Sequence, residues 1–125
     1  MHNLLVMFGG AIGALGRYQF GRLAGHLFGS GWPWGTLGVN VIGGFAMGLL
    51  AGWLARFSTS GGGQMHLLIG VGILGGFTTF SSFSLDMVLM IERSEYASAA
   101  LYAALSVALS IAALFAGLVL MRSLA

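Results

Sequence analysis

Ser98, Tyr102, Ser106 and Ser110 stand four residues apart in an otherwise apolar stretch. On a helix that spacing gathers them on one face. A lone serine can bond back to the carbonyl one turn earlier, but a stripe in register reads as a polar track. Asn40 is likewise set among apolar residues. Its amide has two N–H donors and one acceptor, so it can link two helices or present donors to a dehydrated anion. The segment Gly75-Gly76-Phe77-Thr78-Thr79-Phe80-Ser81-Ser82-Phe83-Ser84 is the most unusual in the chain. Adjacent glycines and β-branched threonines are poor helix formers, so a break is expected there. A break frees backbone groups, and bare carbonyl oxygens suit a hard cation such as sodium. Phe77, Phe80 and Phe83 recur every three residues. They either pack, or stack along a helix edge and turn electropositive ring edges toward an anion. Arg17 and Asp86 are the deepest charges. They either pair or snorkel to an interface, and Arg17 can draw anions into a vestibule.

The elements that position these groups must lie in lipid. Hydrophobic residues make up 58% of the 125, and charged residues only 6%, against about 25% charged in an ordinary soluble domain. A span needs about 20 apolar residues. The segments 34–55 and 97–121 meet this without a charge, 67–91 contains the expected break, and 4–28 is interrupted by Arg17 and Arg22. The expectation is one all-α domain over residues 1–125 with four transmembrane helices, the third broken. The connections Gly29 to Pro33, Ser58 to Gln64 and Glu92 to Glu95 are short, which makes neighbouring helices antiparallel. The N-terminus lacks the basic region of a cleaved signal peptide.

Several classes of function find no support. The chain has no cysteine, hence no thiol chemistry. It has no lysine, and its net charge of +2 comes from scattered arginines, so no basic cluster exists for nucleic acid. His2, His26 and His66 lie at span ends without metal-ligand spacing, and no catalytic constellation is visible. An enzyme is not expected.

The glycines form ladders. Gly9, Gly13, Gly21, Gly25 and Gly29 recur at multiples of four, with Arg17 on the missing rung. Gly44, Gly48 and Gly52 continue a line begun by Thr36 and Asn40. Small residues on one face let helices approach closely in lipid, either within one chain or between two. Four helices around one axis leave little room for a solute, so a pore implies at least a dimer. Arg56 and Arg122 fall on one side of the bilayer, Arg22 and Arg93 on the other. Such balance gives little orienting bias, so insertion in both orientations and an antiparallel dimer are expected.

The blocks GGAIGALGR (9–17), GTLGVN (35–40) and GGFTTFSSFS (75–84) resemble the signature blocks of the Fluc/CrcB fluoride channel family. The resemblance covers essentially the whole chain. It implies a multi-pass protein of the bacterial cytoplasmic (inner) membrane. It also implies a dual-topology antiparallel homodimer with two pores, passively exporting cytoplasmic fluoride, and a structural sodium ion at the dimer interface. By that resemblance Gly75 and Thr78 supply sodium-binding carbonyls, and Phe80 and Phe83 turn ring edges to fluoride. Asn40 lines the pore, Arg17 stands near its entrance, and Tyr102, Ser106 and Ser110 form the polar track. Thr36 and Ser81 fall beside these groups. Asp86 stands where many relatives carry glutamate, one methylene longer. Two other readings are a small multidrug-type proton-coupled exporter and a purely structural membrane subunit. The first expects an acid in the first helix, and this chain has none before Asp86. The second leaves the aromatic and hydroxyl block unexplained.

Overall fold

Glycine decides which helices touch. In the computed structural model, which describes residues 2–29, 31–57 and 62–124, the long helices are α1 (His2–Phe28), α2 (Trp34–Phe57) and α6 (Tyr96–Leu124). A Cβ added at Gly44 would lie 2.8 Å from the Ser110 carbonyl oxygen, and one at Gly48 would overlap the Leu114 carbonyl. From the other side, a Cβ at Gly117 would overlap the Phe45 carbonyl. The α2 ladder is therefore filled by α6 of the same chain. This contact brings the ends of α2 and α6 together, since a Cβ at Gly52 would lie 2.8 Å from that of Met121. Arg56 and Arg122 consequently share one end of the bundle.

The α1 ladder divides. Gly9 and Gly13 lie against the backbone of residues 68–77, where any side chain would overlap a carbonyl. Gly21 and Gly25 face open space within the chain. Gly29 ends α1 with a left-handed φ of +79° and donates its N–H to the Gly25 carbonyl at 2.9 Å. Glycine reaches that conformation without strain, as helix C-caps require.

The third hydrophobic stretch is built from pieces. Helix α3 (Gly62–Met65) runs into a π-helical segment (His66–Leu74), then α4 (Gly75–Phe77) and, after a break, α5 (Ser81–Glu92). The chain does not break at the double glycine. Gly75 keeps helical angles, while Thr78 is extended at φ −86°, ψ 160°. Gly76 serves contact instead: a Cβ there would lie 2.6 Å from the Gly10 carbonyl oxygen. The non-helical residues are Thr78 to Phe80.

Three stretches, Trp34–Phe57, Gly63–Glu92 and Tyr96–Leu124, are long and apolar enough to cross a membrane. Helix α1 is as long, but Arg17, Gln19 and Arg22 lower its hydropathy. At the end away from Arg56 and Arg122, Tyr102 is wholly enclosed, packed with Leu37, Met90 and Ala99 beneath Trp32. Arg93 shares a cavity of about 400 Å³ at this end with Gly29, Trp34 and Asp86. The chain leaves α5 through Ser94, which takes a φ of 62°. The Arg93–Glu95 ion pair at 3.3 Å is exposed, and pairs of that kind add little stability. The Ser58–Gln64 connection lies largely outside the described residues, as does Ser30 in the first connection.

Candidate functional site

The Thr78–Phe80 break is held open by side chains. Asn40, part-buried on α2, accepts the Thr79 N–H on Oδ1 at 2.8 Å and donates from Nδ2 to the Thr79 carbonyl at 3.0 Å. One amide thus satisfies both backbone groups of a residue that has left the helix, as polar groups at this depth require. An amide has two N–H donors, so one of Asn40's remains beyond the Thr79 bond. Thr79 Oγ1 accepts the Ser82 N–H at 3.1 Å and caps the start of α5 from outside. Arg17 Nε donates to the Gly76 carbonyl at 3.1 Å.

These bonds change which carbonyls are engaged. In a continuous helix the Thr79 N–H closes on the Gly75 carbonyl and the Ser82 N–H on that of Thr78. Here both N–H groups are turned to side chains. Gly75 lies exposed on the single chain and Thr78 half-buried. Two carbonyl oxygens released in this way fit a hard, oxygen-ligated cation, and access from outside the chain leaves room for ligands from a second copy.

A groove of about 380 Å³ opens beside the break. Its polar lining comes from Asn40, Thr78, Thr79, Ser106 and Ser110, and its aromatic lining from Phe80 and Phe83. Among the described residues, the Ser106 and Ser110 hydroxyls are buried and have no hydrogen-bond partner. Phe80 is 77% exposed, while Phe83 is half-buried, its ring centroid 5.5 Å from that of Phe80 and 5.1 Å from that of Tyr102. Two unpartnered hydroxyls are thus buried in the wall of an otherwise apolar trough, with the Phe80 and Phe83 rings beside them. An anion leaving water needs replacements of that kind.

A second cavity of about 350 Å³ holds Arg17, Arg22, Thr36 and Ser82. Thr79 lines both it and the groove. Arg17 and Thr36 thus belong to a positively charged chamber adjoining the groove. Ser81 is exposed, its hydroxyl 3.2 Å from that of Thr79.

Several sequence patterns are divided by the fold. The hydroxyl stripe separates into two pairs. Ser98 accepts the Trp32 indole N–H at 3.0 Å, and Tyr102 donates to Asp86 at 2.9 Å, whereas Ser106 and Ser110 face the groove. Arg17 and Asp86 do not pair, because each has a different partner. Phe77 leaves the phenylalanine series. It lies before the break, packs edge-on against Phe20 at 6.3 Å, and covers Gly16. The role of Thr79 was not anticipated; a hydroxyl three residues before Ser82, at the start of a helical pattern, was its capping signal.

Known proteins are similar to nearly the whole of this chain. Residues 4–118 match the family described as "CrcB-like protein, Camphor Resistance (CrcB)". The chain is 54% identical over 119 residues to a protein of Caulobacter vibrioides (strain NA1000 / CB15N) named "Fluoride-specific ion channel FluC". That match covers 95% of this chain and 94% of the relative. It is 56% identical over 119 residues to the protein of the same name from Phenylobacterium zucineum (strain HLK1), with the same coverage of both. Its identity to the protein of that name from Novosphingobium aromaticivorans is 52% over 123 residues, covering 96% of this chain and 95% of the relative.

Proposed function

The chain belongs to the CrcB-like family, and from that premise we propose that it is a fluoride-specific ion channel. It is a passive channel rather than an enzyme, in a bacterial cytoplasmic membrane, and lets accumulated fluoride leave the cytoplasm. The observation that carries this reading is the groove with the unpartnered Ser106 and Ser110 hydroxyls and the free Asn40 donor. Fluoride is small and strongly hydrated. It enters an apolar path only if donors replace its water, since a bare ion there is very costly. Hydroxyl and amide N–H groups do so, and the edges of Phe80 and Phe83 add partial positive charge. The chamber of Arg17 and Arg22 beside Thr36 concentrates anions at the mouth.

The active unit is an antiparallel homodimer of four-span subunits in dual topology. The groove of one chain is open on one side, and Phe80 projects from it, so one subunit supplies only part of a pathway. The balance of Arg56 and Arg122 against Arg22 and Arg93 supports insertion both ways. The Gly75 and Thr78 carbonyls would hold a structural sodium ion between subunits. Such an ion supplies charge that holds carbonyl dipoles together, and it is not transported.

Fluoride efflux from sealed liposomes containing the purified protein tests the function. Rapid efflux, independent of a proton gradient and without matching chloride efflux, is expected. Efflux that requires a proton gradient would move the chain to the coupled exporters, and no efflux would leave a structural subunit.

A further inference from the structure

Each of the two carbonyls assigned to the cation has lost its usual donor to a different side chain. The Gly75 carbonyl has lost the Thr79 N–H to Asn40 Oδ1 at 2.8 Å, and the Thr78 carbonyl has lost the Ser82 N–H to Thr79 Oγ1 at 3.1 Å. We propose that Asn40 and Thr79 are positioning residues for the cation site, whose side chains keep the Gly75 and Thr78 carbonyls free to ligate. This rests on the sodium reading above and adds the cause of the site.

The physical argument is competition for one acceptor. A carbonyl in a helix ladder has its oxygen engaged by an N–H aligned with it. Turning that oxygen to a cation means losing or weakening the bond. A side chain that takes the N–H removes the competition in advance. It also prevents the N–H from being left bare in lipid, where an unsatisfied group costs several kcal/mol. Thr78 shows the same economy at the turn before the break: its own N–H and hydroxyl both go to the Leu74 carbonyl, at 3.0 and 2.9 Å, away from the two ligating oxygens.

Asn40 also lines the groove. A single amide therefore joins the cation site to the anion path, and Thr79 stands between the groove and the arginine chamber. Loss of the Asn40 clamp lets the Thr79 N–H return to Gly75, carries the helix one hydrogen bond further into the break, and alters both places at once.

The test is thermal unfolding of the purified full-length protein over a sodium titration, with a large organic cation holding ionic strength constant. For wild type, the unfolding temperature should rise with sodium to a plateau. Asn40→Leu and Thr79→Val should each raise the sodium concentration at the midpoint of that rise about tenfold, the effect of losing roughly one hydrogen bond's worth of preorganisation. Thr79→Ser keeps the acceptor and should follow wild type. An unchanged midpoint in Thr79→Val, with the whole curve merely lowered, would mean an ordinary structural role and overturn the proposal. So would equal midpoint shifts in Thr79→Ser and Thr79→Val. If Asn40→Leu does not fold, the valine and serine variants at position 79 decide alone. A wild-type protein whose unfolding ignores sodium defeats the sodium reading itself, a separate outcome.

Discussion

Removing the hydroxyls of Ser106 and Ser110 should impair transport without weakening the protein. Both oxygens are buried and have no partner among the described residues. A buried hydroxyl without a partner costs about 1–3 kcal/mol relative to one that is satisfied. Converting the hydroxymethyl side chain to methyl removes that cost, and the volume change is small. The variant Ser106→Ala/Ser110→Ala should therefore unfold at the wild-type temperature or above it, with a gain of up to about 1 kcal/mol at each site. Transport should move the other way. A hydrogen bond to a charged partner is worth about 1.5–3 kcal/mol, and 1.4 kcal/mol is about a factor of ten. Losing even one such contact to fluoride at the barrier should cut flux at least about tenfold. The assay is initial fluoride efflux from liposomes, paired with thermal unfolding of the same preparation. A large drop in stability would mean that the hydroxyls are satisfied in the folded protein. Wild-type flux at wild-type stability would mean that the groove is not the path.

Phe80→Ile should reduce flux and leave stability within about 0.5 kcal/mol, because the ring is 77% exposed on the subunit. Phe83→Ile should reduce flux and also lower the unfolding temperature, since that ring packs against Tyr102; normal flux in both variants would return the rings to packing alone. Gly48→Ala should destabilise by about 1–3 kcal/mol, as the added methyl meets the Leu114 carbonyl. Gly25→Ala, facing open space within the chain, should stay within about 1 kcal/mol of wild type, and equal losses at the two sites would contradict the assigned helix contact. A reporter fused after Ala125 should be found on both sides of the membrane, and two added lysines should bias it to one side. A one-sided reporter unmoved by the lysines would remove the charge-balance argument.

Composition alone determined the solvent. A chain with 6% charged residues has too little polar surface for water, whatever its fold, so membrane helices followed without any contact being known. The identity of the polar groups near the break was equally legible, because Asn40, Ser106 and Ser110 are conspicuous among apolar neighbours. Spacing identified faces but not what each face would meet. The two glycine ladders read alike in sequence, yet Gly44, Gly48 and Gly52 are filled by α6 while Gly21 and Gly25 are left open. Periodicity failed where the backbone changed geometry. Phe77, Phe80 and Phe83 share a spacing, but the extended Thr78 between the first two sends Phe77 to α1 and Phe80 to the groove. The hydroxyl stripe divided for a different reason. Ser98 and Tyr102 met Trp32 and Asp86, whereas the Ser106 and Ser110 hydroxyls met no hydrogen-bonding group among the described residues. Helix propensity marked the run of two glycines and two threonines as the weak point; within it Gly75 and Gly76 stay helical and the break falls at Thr78. Propensity is a local quantity. At the break, an amide on another helix, nearly forty residues away in sequence, takes up both backbone groups of Thr79 in place of the helix ladder.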